Sequence, residues 1–195
     1  IWDQSGQRPR VTGVRTDEGP VYFDCVIASA GRRNRLTEWL ASAGVHLPPD
    51  QTWECGITYY SRYYRFRKGA DVPRGLFPSG PSGSFPCVHF TMNRTDHNTF
   101  SFMLGVAPWR DEFKALRHND IFSSFVATLP GVNAWLDPNK CEAIRGVEPF
   151  AGLVNRYRRF QDESGPLVDG LYVVGDSRFH TNPIYGWGMA FALFQ

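Results

Sequence analysis

The chain has 195 residues, the length of one ordinary domain or parts of two. Hydrophobic residues make up 42% and charged residues 21%, a core-forming composition that excludes a disordered chain. The net charge of +2, with acids and bases interleaved, gives no reason to expect nucleic acid or an anionic membrane as partner.

The apolar runs are far shorter than a membrane span, and the start does not read as a signal peptide. The absence of an initial Met and a final apolar run without a stop signal lead us to expect a piece of a longer polypeptide. Four cysteines, Cys25, Cys55, Cys87 and Cys141, lack zinc spacing or a tight disulfide framework. They read as reduced thiols of a cytoplasmic protein.

In chain order, residues 10–15 and 21–28 read as two strands joined by the turn Asp17-Glu18-Gly19-Pro20. The second strand runs into Ala28-Ser29-Ala30-Gly31. A helix follows over 37–44, with Asn34 or Thr37 as cap and Gly44 as its C-terminal stop. Residues 52–69 alternate as one long strand, with Tyr59 and Tyr63 on one face and Tyr60 and Tyr64 on the other. The tyrosines line either a sheet core or an apolar substrate pocket. A loop over 69–86 holds a short strand at 75–78. Residues 87–93 and 99–107 form a hairpin. Helices are expected at 111–118 and 120–129, a helical turn at 133–136, and strands at 141–147, 154–160 and 171–174. The fold class is α+β with a sizeable antiparallel sheet, beside pieces of an α/β unit.

The end, "VVGDSRFHTNPIYGWGMAFALFQ", carries the chemistry. A buried strand delivers Gly175-Asp176 at its C-terminal end, where open α/β sheets bind ligands. Asp176 there accepts hydrogen bonds from polyol hydroxyls, or simply caps a turn. Pro183 stiffens the loop, and Gly186 and Gly188 let the backbone approach a flat ligand. A helix opening at Gly186–Gly188 directs its free N–H groups at that ligand, an end that suits an anion or a ring that becomes anionic. His180 in this loop either bonds a ligand or faces water. The histidines and carboxylates show no metal spacing, so no metal is expected, and no catalytic acid or base stands out.

This stretch resembles the second FAD motif of the FAD-dependent monooxygenases and related oxidoreductases, a Gly-Asp pair followed by Pro and GxG. "VYFDCVIASAGRRNRLTEWLASAG" resembles the same family's strand, Gly-Arg turn and Trp-Leu helix. Ala30-Gly31 stands here in place of the usual Asp-Gly, and Asn34 in place of Ser. The resemblance implies a ribityl contact at Asp176 and a flavin-ring neighbourhood at Pro183, Gly186 and Gly188. Gly175 and Asn182 lie nearby, and Gly31 and Arg35 lie toward the phosphates. Arg32, Arg33 and Arg35 otherwise read as a solvated basic turn.

The resemblance further implies residues 1–50 as part of an FAD-binding, Rossmann-like domain and 51–150 as an antiparallel substrate domain. Residues 151–195 would then return to the FAD-binding domain. The GxGxxG loop for the ADP half of FAD is not in the sequence, so the missing N-terminal half is required for a full FAD site. The implied activity is hydroxylation or epoxidation of a small apolar or aromatic substrate with FAD, NAD(P)H and O2. A flavin-dependent reductase of isoprenoid-like substrates, a flavin-dependent halogenase and an inactive remnant are the alternatives.

Overall fold

The computed structural model describes residues 1–71 and 80–195, and the strand expected at 75–78 lies outside them. The chain forms two compact units, Ile1–Cys55 with Val154–Gln195, and Gly56–Leu153.

The first unit opens with β1 (Trp2–Asp3) paired to β2 (Arg10–Val11). The hairpin of β3 (Gly13–Thr16) and β4 (Gly19–Tyr22) turns at Asp17-Glu18. The stretch 21–28, expected as one strand, is two. It leaves the hairpin at residues 23–25 and resumes as β5 (Val26–Ala28), which takes a different partner. In α1 (Leu36–Ser42), Leu36 and Leu40 are buried, the i, i+4 spacing that puts two residues on one face. Asn34 Oδ1 accepts from the Leu36 N–H at 3.0 Å. At the other end Gly44 N donates to Ala41 O at 3.0 Å and Val45 N to Leu40 O at 2.9 Å, a Schellman closure. β6 (Gln51–Glu54) follows.

The long strand expected over 52–69 is broken. Gly56 lies at φ +62°, a left-handed conformation incompatible with extended backbone, so β6 and β7 (Thr58–Phe66) fall in different units. β7 anchors the second unit. Its sheet, with β8 (Ser82–Ser84), β9 (Val88–Arg94), β10 (Thr99–Val106) and β11 (Cys141–Ala143), has the order β11-β7-β10-β9-β8. β12 (Glu148–Phe150) pairs with β7 beyond β11, so the strand expected at 141–147 is replaced by two short ones. Residues Asp111–Arg117 form a 3-10 helix, and α2 spans Asn119–Val126.

Period-2 alternation sends Tyr60, Tyr64 and Phe66 of β7, Phe90 and Met92 of β9, and Phe100, Phe102 and Leu104 of β10 to one face. Phe122 and Val126 of α2 join them in one core. Phe102 meets Phe122 edge-on at 6.3 Å between ring centroids. Tyr60 and Tyr64 are therefore core residues. Tyr63 lies on the opposite face, with the Arg145 guanidinium 5.6 Å from its ring centre.

The chain then completes the first unit. β13 (Val154–Tyr157) lies between β6 and β17 (Phe179–His180), and ends before residue 160, short of the expected strand. β14 (Gln161–Asp162) pairs with β15 (Gly165–Pro166). β16 (Leu171–Val173) runs parallel to β5 in the register Leu171↔Val26 and Val173↔Ala28. α3 spans Trp187–Leu193. Val11, Leu36, Leu40, Val45, Val168 and Val173 form this unit's core. The architecture is α+β with mostly antiparallel strands; among the described residues β5–β16 is the parallel strand pair, and a single parallel bridge joins Arg10 to Asp169.

Candidate functional site

The parallel pairing of β5 and β16 brings their C-terminal ends side by side, and Val174 N donates to Ala28 O at 3.1 Å. Beyond this edge β5 runs into the turn at residues 31–34, and β16 into the 3-10 turn Gly175–Ser177. Asp176 lies in that turn, exposed, three residues past β16. Gly175 donates its N–H to Gln195 Oε1 at 2.6 Å. Ser177 is fully buried, and its Oγ donates to Gly31 O at 3.4 Å. The two turns therefore touch, although their residues are far apart in sequence.

Asp176 also meets α3. A methyl group built on Gly188 would stand 3.8 Å from Asp176 Oδ1 and 3.8 Å from Thr181 Oγ1. The first turn of α3 thus passes beside the carboxylate with no side chain between them. The helix starts at Trp187, is seven residues long and has no side-chain cap. Gly186, at φ +65°, joins it to the 3-10 turn Pro183–Tyr185. Pro183 occupies the first position of that turn, where its missing N–H costs nothing. Buried Asn182 is the cap, accepting from Ile184 N at 3.2 Å, while its own N–H reaches Asn155 Oδ1 at 2.7 Å.

Alongside lies a cavity of about 420 Å³ lined by Trp53 and Glu54 of β6, Asn155 of β13, Thr181, Tyr185, Trp187 and Phe191, among others. Its walls are largely aromatic, with Phe179 meeting Phe191 edge-on at 4.8 Å and Trp187 meeting Phe191 at 6.2 Å. The Thr181 hydroxyl is buried, with no hydrogen-bond partner among the described residues. Burial pushes the pKa of Cys55, also on the cavity wall, upward.

His180 is on the other side of β17 from Phe179 and Thr181, as strand alternation requires. It is buried, with Nδ1 unpartnered among the described residues. Its pKa is lowered chiefly by burial, against the raising effect of a hydrogen bond with the Asp176 backbone. The charges of Arg156 and Arg158 lower it further, and that of Asp176 raises it. The solvent-facing alternative for this histidine is thereby corrected. Arg35 turns outward to Glu38, Nε to Oε2 2.7 Å, with both side chains exposed.

Local patterns gave no hint of Arg158. It is 5% exposed, and its guanidinium donates from Nη1 to Ser177 O at 3.1 Å and from Nη2 to Arg32 O at 3.2 Å. Its Nε lies 3.6 Å from Asp50 Oδ2. The sequence shows Arg156, Arg158 and Arg159 in one basic stretch, and only tertiary structure tells which is buried. Among the described residues no group of three or more His, Cys, Asp or Glu is arranged to hold a metal ion. No described helix is long and apolar enough to cross a membrane.

No family model matches the chain. Protein Rv3254 of Mycobacterium tuberculosis is 28% identical over 204 residues, covering 97% of this chain and 41% of the relative. Among solved structures, the myxobacterial chondrochloren halogenase CndH, described as an FAD-dependent halogenase, superposes with a TM-score of 0.65. Its identity is 14%, over 95% of this chain and 41% of that one. Klebsiella pneumoniae HpxO, as its R204Q variant complexed with FAD, gives a TM-score of 0.56 at 16% identity, over 99% of this chain and 46% of that one. The chain spans less than half the length of these relatives. Over that span it has the fold shared by FAD-dependent halogenases and related flavoproteins.

Proposed function

We propose that this chain is the flavin-ring portion of an FAD-dependent oxidoreductase. The intact enzyme would be a monooxygenase that oxidises a small apolar or aromatic substrate with NAD(P)H and O2. One observation carries the reading: Asp176, at the C-terminal edge of a parallel strand pair, faces a helix turn whose Gly188 has no side chain, beside an aromatic cavity. The residues fit the cofactor. The cavity volume of about 420 Å³ lies within the roughly 300–1,000 Å³ of small-molecule sites. The Thr181 hydroxyl on its wall, without a hydrogen-bond partner among the described residues, has a hydrogen bond to offer.

FAD would supply the redox chemistry, taking hydride from nicotinamide and activating oxygen. Asp176 would accept hydrogen bonds from ribityl hydroxyls. Gly186 and Gly188 would admit the ring edge, with Gly175, Pro183 and Asn182 fixing the loop around it. Trp53, Trp187 and Phe191 would exclude water. Gly31 and Arg35 would lie toward the phosphates. Arg35 reaches them only by leaving Glu38, an exposed pair that holds it by about 0.2–1 kcal/mol. The ADP half of FAD would be bound by residues outside this chain. All four cysteines are free, which suits a reducing, cytoplasmic setting.

The intact protein should copurify with yellow flavin and couple NAD(P)H oxidation to oxygen consumption, and failure to bind FAD would overturn the reading. The likeness to CndH, at a TM-score of 0.65, favours halogenation as a second reading. Turnover that requires chloride or bromide would select it.

A further inference from the structure

Arg158 bridges the two turns that follow β5 and β16. Its backbone N–H is fixed to Arg178 O at 2.9 Å. Its side chain reaches the two turns beyond the β5–β16 pair and ends in a fork. One prong holds the turn after β5 through Arg32 O at 3.2 Å, the other holds the turn after β16 through Ser177 O at 3.1 Å. The third nitrogen, Nε, faces the Asp50 carboxylate at 3.6 Å. Asp50 also lies 3.5 Å from Arg156 Nε, so one acid serves two bases here.

A guanidinium supplies these directions from one rigid plane, which an ammonium cannot do. Burying a cation is costly unless it is paired and hydrogen-bonded, and each nitrogen of Arg158 has an oxygen facing it. The two turns that it joins carry Gly31 and Asp176, the residues assigned above to opposite ends of one ligand.

We propose that Arg158 is a positioning residue that locks the 31–34 turn and the 175–177 turn at a fixed separation, so that they engage one ligand as a single surface. The proposal rests on the flavin reading for the identity of the ligand but not for the lock itself. Arg158 does not touch the cavity and takes no part in chemistry. Its effect is on affinity and on the environment of the bound ring.

Three measurements test it. Amide exchange on this chain should show residues 31–34 and 175–178 speeding up together in Arg158→Met, while residues 100–104 of the other unit keep their protection. In the intact flavoprotein, R158M should weaken FAD binding on the order of 10- to 100-fold, as loss of outer supports does at other sites. It should also shift the potential of the bound flavin. Arg158→Lys should restore the charge but not the affinity. Guanidinium ion at sub-denaturing concentration should restore the affinity of R158G, and methylammonium should not.

If R158M does not fold, Asp50→Asn, which removes the anion orienting the fork, should show the same paired loosening to a smaller degree. Exchange that rises in one turn only, or FAD affinity equal to wild type in R158M, overturns the lock. If the wild-type intact protein binds no FAD while the two turns still loosen together, the flavin reading fails and the lock stands.

Discussion

The two units bury their apolar residues to different degrees. The Gly56–Leu153 unit has one long sheet whose inner face, capped by α2, gathers 17 buried residues into a single cluster among the described residues. The other unit is assembled from two- and three-stranded pieces, and its cluster holds six buried residues. It leaves large apolar side chains in water: Ile27 is 64% exposed, Tyr172 62%, Leu193 87% and Phe194 89%. The parallel pair shows the same imbalance along its length. Val173 is buried and Leu171 packs against the core, while Ile27 and Tyr172 face outward. Parallel strands are ordinarily covered on both faces, and exposed apolar patches mark surfaces that bind something. One unit is thus built around a self-contained core, and the other around a framework that presents surface.

The largest expected effect tests the first half of this contrast. Phe102 is fully buried between Phe90 and Phe122. Phe102→Ala should cost about 3–5 kcal/mol, read by denaturant unfolding. Amide exchange should place the loss in the sheet of β7, β9 and β10. Equal loss of protection in β5 and β16 would show that the two cores are one cooperative system.

The framework unit is held more by backbone geometry than by bulk, and Gly170 shows where. It sits at φ +71°, and a Cβ there would stand 2.5 Å from Val11 O. Its own carbonyl accepts from Val26 N at 2.8 Å, where β5 and β16 begin to pair. Gly170→Ala combines a disfavoured conformation with a backbone clash and should cost about 1–3 kcal/mol. The loss should be confined to residues 10–28 and 168–176. An alanine variant as stable as wild type would mean that the strand pair tolerates displacement.

These two sites also show what local sequence conveys. The β9–β10 hairpin is legible because strict alternation meets a strong turn, and α1 is legible because its apolar spacing ends at Gly44. The pairing of β5 with β16 is not, since nothing near residue 27 specifies a partner near residue 172. The split at Gly56 escaped because aromatic and β-branched residues flank it on both sides, and the glycine's dihedral outweighs their propensity. At the candidate site the Gly-Asp, Pro and GxG residues can be picked out by type and spacing. The burial of Arg158 and His180 cannot, because exposed arginines and histidines look the same in sequence.

His180 gives the framework unit a pH dependence. Its folded-state pKa is lowered from the ordinary 6.5, so the unfolded chain binds the proton more readily. Stability is therefore full above pH 6.5 and falls as the pH drops from there through the depressed folded-state value. The groups facing the ring are Arg156 and Arg158, which repel the added charge, and Asp176, which attracts it. Acid titration of the unfolding midpoint should show a decline below pH 6.5 that His180→Asn flattens. An unchanged slope in H180N would assign the decline to carboxylates instead.

The smallest effect on stability is expected where the contrast is sharpest. Leu193 and Phe194 end α3 almost entirely in water, so replacing both with Ser removes little buried area. Substitutions away from packed features usually stay within about 0.5 kcal/mol. The same double variant should clearly lower the fluorescence of a bound hydrophobic dye, because it removes two of the most exposed apolar side chains of the unit. A large loss of stability would mean that these residues already pack within this chain. The framework would then be closed on itself at the end of α3.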